Sequence, residues 1–287
     1  MTKRMINNKE QTIVDFFTEY HLAKAKIYKL LTTSSVLVNG VVATVATKVY
    51  PQDKIAITFD DIVDKTVALW DFNIEIVYED DDILLVNKPA GILIHSDGLS
   101  LETLTSAVNF YLKKKKNFLP AYCIHRLDLE TMGLVLFAKN PLALAHLSFQ
   151  MENMQITKKY VAVVEGIFNP LNGIIDLNIG RNRHINNCYR VASNGKSAVT
   201  TYQTLQSSKQ KSVVVAEIIT GRTHQIRVHF SHLHHPIIGD KIYGKTKGKL
   251  MLFSQALKFI HPQTKQEFYF ELDIPGDFMV NINEQSN

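Results

Sequence analysis

Cysteine is almost absent from this chain of 287 residues: Cys123 and Cys188 are the only two, and they lie far apart in sequence. That scarcity excludes a disulfide framework and a cysteine-built zinc site, and it fits a reducing compartment. Long apolar runs are missing as well. The stretch Met1 to Glu10 has no signal-peptide core, and no later segment is long and apolar enough to span a bilayer. A cytoplasmic protein without a membrane partner is expected. Internal repeats and low-complexity tracts are also lacking. What is present is ordinary globular material, 46% hydrophobic and 21% charged, at a length that suits one main domain with an appendage.

The net charge of +5 is unevenly placed. Residues 1–58 carry eight Lys/Arg against four Asp/Glu, residues 59–82 carry nine acids against one lysine, and the remainder is +9. Two basic bodies therefore flank an acidic segment. Basic bodies attract phosphate backbones, although charge alone more often just solvates a surface.

Residues 11–31 show helical periodicity, with Ile27, Leu30 and Leu31 at i, i+3, i+4 spacing and Lys26 and Lys29 on another face. Val36-Leu37-Val38 and Val41-Val42-Ala43, joined by Asn39-Gly40, carry the strongest short hairpin signal, and Pro51 to Lys54 predicts a turn before the strand-like Ile55-Ala56-Ile57. A basic helical face followed by a hairpin, over residues 11–58, resembles the S4 RNA-binding domain. The likeness departs from the usual pattern at Leu22-Ala23-Lys24-Ala25, where such modules often carry Ser-Arg. It implies that Lys24, Lys26 and Lys29 meet RNA.

An acidic linker is expected over residues 59–73, and the main domain over 74–280. Within it, Ile74 to Tyr78, Asp82 to Pro89, Leu134 to Ala138, Tyr160 to Val164, Ile174 to Leu177, Thr200 to Leu205, Val213 to Ile219, Met251 to Phe259 and Phe268 to Leu272 read as strands. Leu101 to Lys116 and Pro141 to Asn153 read as helices. Strands outnumber helices without regular alternation. This predicts an α+β domain on a mixed, largely antiparallel sheet.

Chemistry-bearing residues concentrate in two places. The first is His125-Arg126-Leu127-Asp128-Leu129-Glu130-Thr131-Met132-Gly133. Asp128 and Glu130 are two apart, so extended backbone points them to opposite faces, which is wrong for the paired carboxylates of a hydrolytic glycosidase. A single carboxylate beside an arginine suits work as nucleophile or base on a sugar whose leaving group is a tolerable anion. An isolated Arg-x-Asp would more often be a salt bridge closing a loop. The second cluster is Gly221-Arg222-Thr223-His224-Gln225-Ile226-Arg227, followed by His235-Pro236-Ile237-Ile238-Gly239-Asp240. Its density of planar donors suits phosphate and carboxylate contacts. Five histidines between 224 and 235 admit a metal-hydrolase reading, but no cysteine or carboxylate lies near them except Asp240.

Residues 125–139, Lys159-Tyr160 and 221–244 together resemble the RluA family of RNA pseudouridine synthases, whose signatures are His-Arg-Leu-Asp with Thr-x-Gly-Leu, a Lys-Tyr or Lys-x-Tyr strand start, and Gly-Arg-x-His-Gln-(Ile/Leu)-Arg with Pro-Ile-x-Gly-Asp. Asn87-Lys88-Pro89-Ala90-Gly91 and His95 match a further family stretch. The resemblance spans roughly residues 70–275. It implies isomerisation of uridine in RNA, ribosomal RNA being favoured and transfer RNA the alternative. Asp128 falls on the essential aspartate, Tyr160 on the tyrosine that stacks on the uracil, Arg222 on the arginine that pairs with the aspartate, and Ile226 on the apolar lining of the base pocket. His125, Arg126, Lys159 and Arg227 are expected at the RNA strand. The aspartate acts at C1′ or on the C2′ proton, and neither route needs a metal or other cofactor. A monomer is expected, and a non-catalytic RNA-binding protein is the rival reading. Met132, His234 and Gln255 depart from the family pattern, which bears on substrate choice.

Overall fold

Backbone alternation and caps account for a small N-terminal unit in the computed structural model, which describes residues 2–60, 67–117 and 119–279. Strand β1 (Thr2–Ile6) buries every second residue, and β2 (Gln11–Thr12) leads into α1 (Ile13–Thr18), whose first turn is capped by the Thr12 hydroxyl accepting from the Asp15 N–H at 3.0 Å. Helix α2 (Lys24–Thr32) buries Ile27, Leu30 and Leu31 and leaves Lys24, Lys26 and Lys29 exposed. Strands β3 (Val36–Val38) and β4 (Val41–Val42) turn at Asn39-Gly40 with φ of 50° and 85°, as a primed two-residue hairpin requires. Strands β5 (Lys48–Val49) and β6 (Lys54–Thr58) follow, and the sheet order is β1-β6-β3-β4.

One boundary differs from expectation: the unit begins at Thr2 rather than at residue 11, and the periodic stretch 11–31 forms two helices separated by a turn. Charged residues in Thr2–Ile6 mask the strand. Lys3 is nevertheless buried, because its ammonium donates to Asp82 Oδ1 at 2.7 Å, far away in the chain. Of the expected linker, residues 61–66 lie outside the described residues.

The main body runs through β7 (Glu75–Glu79), β8 (Ile83–Lys88), α3 (Leu104–Lys114), β9 (Tyr122–Cys123), β10 (Met132–Ala138), α4 (Pro141–Glu152), β11 (Thr157–Glu165), β12 (Asn172–Asp176), β13 (Ile179–Arg181), β14 (Tyr189–Val191), β15 (Val199–Ser207), β16 (Lys211–Ile218), α5 (Gln225–His232), β17 (Leu252–Ile260) and β18 (Glu267–Glu271). Ten strands form one sheet in the order β12-β15-β16-β11-β17-β10-β8-β7, with β18 on β17 and β9 on β10. Among its described pairings only β10 with β17 is parallel, so the sheet is mixed and largely antiparallel. Its central strands read as unbroken apolar runs because both faces are covered. Helices α3 and α5 pack on one side through Leu104, Val108 and Phe230, and α4 on the other through Ala143 and Leu147. Strands β13 and β14 pair with each other outside this sheet.

The N-terminal unit rests on α4 and on the loop before β9. Its core of Phe16, Phe17 and Leu22 continues into Leu119 and Leu142, and the His21 ring stacks on Phe149 with centroids 3.5 Å apart.

Candidate active site

Asp128 sits in the loop between β9 and β10. Extended backbone there alternates its side chains: His125 and Leu127 are buried, Arg126 is exposed, and Asp128 looks into a cleft with 27% of its side chain accessible. The loop is held from behind. Lys88, fully buried at the end of β8, donates from Nζ to the carbonyls of Pro89 (3.0 Å), Leu129 (3.0 Å) and Thr131 (2.8 Å), gripping the residues that follow Asp128. Burial lowers the Lys88 pKa to about 8, against the opposing pull of the Asp128 charge. Gly133 then lets β10 run against β17. Its φ is +109°, and a Cβ there would lie 2.2 Å from the Ser254 carbonyl oxygen. Glu130 points away to an ion pair with Lys241, so the two carboxylates do not share a site.

The arginine that meets Asp128 is Arg227, which corrects the assignment of Arg222. Arg227 Nη1 donates to Asp128 Oδ2 at 2.9 Å, while Nε and Nη2 donate to Asp240 Oδ2 and Oδ1 at 2.7 and 2.8 Å. Arg222 instead donates from Nε to the Ser197 carbonyl at 2.8 Å. The reason is where α5 begins. Arg222 precedes the helix in a turn, whereas Arg227 lies in its first turn and faces the cleft. Asp240 has no exposed surface and accepts further N–H donors from Ile242 and Tyr243. Burial alone would raise its carboxyl pKa, but the bonds and charge of Arg227 bring it below the usual range. The same two aspartates raise Arg227 against the effect of its own burial. The sequence carries no local signal for this link, because the burial that makes Asp240 need a partner is set by the tertiary fold.

A cavity of about 260 Å³ opens beside Asp128. Tyr160, Ile226, Leu127, Ile218 and Leu252 give it an apolar wall. Burial, then the Asp128 charge, pushes the Tyr160 phenol well above its ordinary value, while a hydrogen bond with Ser254 opposes that shift. Lys159 was expected here and Lys158 is what lines the cavity. Strand alternation puts residues 158 and 160 on one face of β11 and Lys159 on the other. Lys158 is 4% exposed, and burial lowers its pKa to about 8. His125 was expected at the RNA strand and is instead buried, accepting the Leu136 N–H at Nε2. Burial and the neighbouring Lys158 charge lower its pKa to about 3. Among the described residues, His125 Nδ1 and Thr131 Oγ1 are buried polar atoms of this cavity without a hydrogen-bond partner. Such atoms suit a polar, flat guest.

The histidines do not converge on one point. His229 bonds to Thr200 and to the Leu177 carbonyl, and His235 to the Glu165 carbonyl. His224 meets the Tyr243 hydroxyl at 2.8 Å and approaches Asp128 Oδ2 at 3.7 Å. Among the described residues, the one trio of acids and histidine close enough to share an ion is Asp80, Asp82 and His261, at the seam with the N-terminal unit, where Lys3 already pairs with Asp82. His234 adopts φ of +65°, in the left-handed region that favours glycine. Met132 and Gln255 do not line the catalytic cavity.

Comparison with known proteins agrees with this architecture. The family model described as RNA pseudouridylate synthase matches residues 82–232. The RNA pseudouridine synthase YlyB of Bacillus subtilis (strain 168) is 32% identical over 268 residues, covering 91% of this chain and 88% of that protein. The ribosomal large subunit pseudouridine synthase D of Vibrio cholerae is 31% identical over 289 residues, covering 94% and 88%. Among solved structures, human RNA pseudouridylate synthase domain containing 1 superposes with a TM-score of 0.60 at 27% identity, covering 71% of this chain and 84% of that one. The chain belongs to the RNA pseudouridylate synthase family. It is accordingly an enzyme that isomerises uridine in RNA to pseudouridine, on an α+β fold shared with the solved relatives.

Proposed function

We propose that the chain converts uridine in large-subunit ribosomal RNA to pseudouridine, with Asp128 as the group that acts on the ribose. The carrying observation is the relay Asp240–Arg227–Asp128 beside a cavity walled by Tyr160 and Ile226. Both close contacts to Asp128 fall on Oδ2, which leaves Oδ1 to meet the sugar. A uridine drawn from its stack would lay its uracil on the Tyr160 face. The N1–C1′ bond then breaks as Asp128 attacks C1′ or takes the C2′ proton. The uracil turns within the cavity and C5 joins C1′ as the Asp128–C1′ bond breaks or the proton returns to C2′; the C5 proton then leaves and N1 gains one. Bonds made balance bonds broken, so the route calls for no oxidant or reductant.

The ribosomal address rests on the Vibrio cholerae relative, whose match extends over 94% of the chain and so takes in most of the N-terminal unit. We read that unit as S4-like, with Lys24, Lys26 and Lys29 toward RNA and Arg126 at the cleft rim. The test is tritium release from RNA labelled at uracil C5, with unmodified large-subunit ribosomal RNA and transfer RNA offered side by side. Release from the ribosomal transcript is expected, together with its loss in Asp128→Asn while RNA binding persists. Undiminished release by that variant removes Asp128 from the chemistry, and release from transfer RNA alone removes the ribosomal address.

A further inference from the structure

The arm built by β13 and β14 carries no part of the chemistry above, yet its composition is one-sided. Residues 179–196 contain Arg181, Arg183, Arg190 and Lys196 and no acidic residue. Beside it lies a second cavity of about 450 Å³, lined by Arg181, Lys196, Arg222 and Tyr189 and, among the described residues, by no carboxylate. Gly221, Arg222 and Thr223 line both this cavity and the catalytic one, so a single turn of backbone is the wall between them. We propose that this second cavity is a phosphate-binding subsite for the RNA backbone next to the target uridine, an inference that rests on the pseudouridine-forming reading of the first.

Four features make it a built site rather than a solvated surface. The Arg222 guanidinium is fixed by its Nε bond to the Ser197 carbonyl, and a planar fork held in place suits bidentate contact with a phosphate. The base of the arm closes on Gly195, where a Cβ would lie 2.5 Å from the Ile179 carbonyl carbon. Ile179 packs with Ala198 and Val228 of the body. The Tyr189 N–H donates to the Tyr243 hydroxyl at 2.9 Å, and the same hydroxyl bonds His224 of the catalytic cleft. The arm is thereby tied to the side chains around Asp128. A uridine turned out of its stack swings its own backbone, and fixed cations one turn of chain away hold that backbone while the base enters the first cavity. The position once given to Arg222 at the aspartate is replaced by a role at the strand.

The experiment compares wild type, Arg181→Ala/Lys196→Ala, the charge-keeping Arg181→Lys/Lys196→Arg, and Lys209→Ala, an exposed cation on another turn. Binding of a fluorescein-labelled ten-nucleotide oligouridylate is followed from about 50 to 200 mM salt, and KM and kcat are measured on unmodified large-subunit ribosomal RNA. Loss of two phosphate contacts flattens the slope of log affinity against log salt by about 1.4, so the double alanine variant is about sevenfold less sensitive over that range. Its KM rises about tenfold while kcat falls less than about threefold. The charge-keeping variant and Lys209→Ala follow wild type. A double alanine variant with the wild-type slope and KM overturns the subsite, as does a charge-keeping variant that loses as much as the alanines. Absence of pseudouridine with wild type would refute the catalytic reading instead, and the oligouridylate slopes still decide the subsite.

Discussion

Replacing Arg227 by methionine separates the two arginines that flank the catalytic turn. Arg227 makes two of its three carboxylate bonds to Asp240, which has no exposed surface. Arg227→Met strands that carboxylate with only the Ile242 and Tyr243 N–H groups. Breaking a buried pair by removing one partner costs about 3–5 kcal/mol, which for a domain of this size lowers Tm by about 6–20 °C. Arg222→Met loses one bond to a carbonyl from a half-buried side chain, a cost of about 1 kcal/mol. The assay is thermal unfolding by circular dichroism at several pH values. In the wild type the Asp240 pKa is held low, so its contribution is complete above the unfolded value of about 4 and is lost as pH falls through the lower folded one. In Arg227→Met, burial is left to raise that pKa. The variant's deficit is then largest near neutrality and shrinks as acid protonates Asp240. Adding Asp240→Asn to Arg227→Met removes the stranded charge and recovers stability, but not activity, because Asp128 still lacks its partner. Equal Tm losses for the two arginine variants, or no recovery on adding Asp240→Asn, would refute the buried relay.

Two further outcomes concern other lysines. Lys158→Met should stabilise the fold at pH 7 by on the order of 3 kcal/mol while lowering kcat/KM by at least about tenfold, since a buried lysine with a pKa near 8 is a cost to folding. The folded wild type binds fewer protons than the unfolded chain between about pH 8 and 10.4, so its stability rises with pH across that window, and the variant lacks this rise. Denaturant titrations at pH 7 and 10 check it, and an unchanged stability difference sinks it. Replacing Lys24, Lys26 and Lys29 together by alanine should flatten the salt dependence of binding to structured RNA by about 2 in slope and leave Tm in place, because all three are exposed on α2. An unchanged slope removes the RNA-binding role of that face. Deleting the whole N-terminal unit is a poorer probe, since it uncovers Leu119 and Leu142.

The sequence by itself determined many of the elements and the identity of the catalytic loop. Apolar runs such as Leu134 to Ala138 and the Asn39-Gly40 turn are local signals, fixed by period and by turn chemistry, and they appear as β10 and the β3–β4 hairpin. Asp128, Tyr160 and Ile226 were legible because fixed motifs surround them, and the structure brings all three to one cavity. Partners across the chain were not legible. Whether Arg222 or Arg227 reaches Asp128 depends on the residue at which α5 starts. The choice between Lys158 and Lys159 was local by contrast, because Lys158 lies two residues from Tyr160 and shares its face of β11. Strand β1 and the arm of β13 and β14 stayed hidden, their polar residues being satisfied only by distant groups such as Asp82 and Tyr243. Tertiary structure alone decided which charge meets which, because that is a matter of distance in space and not along the chain.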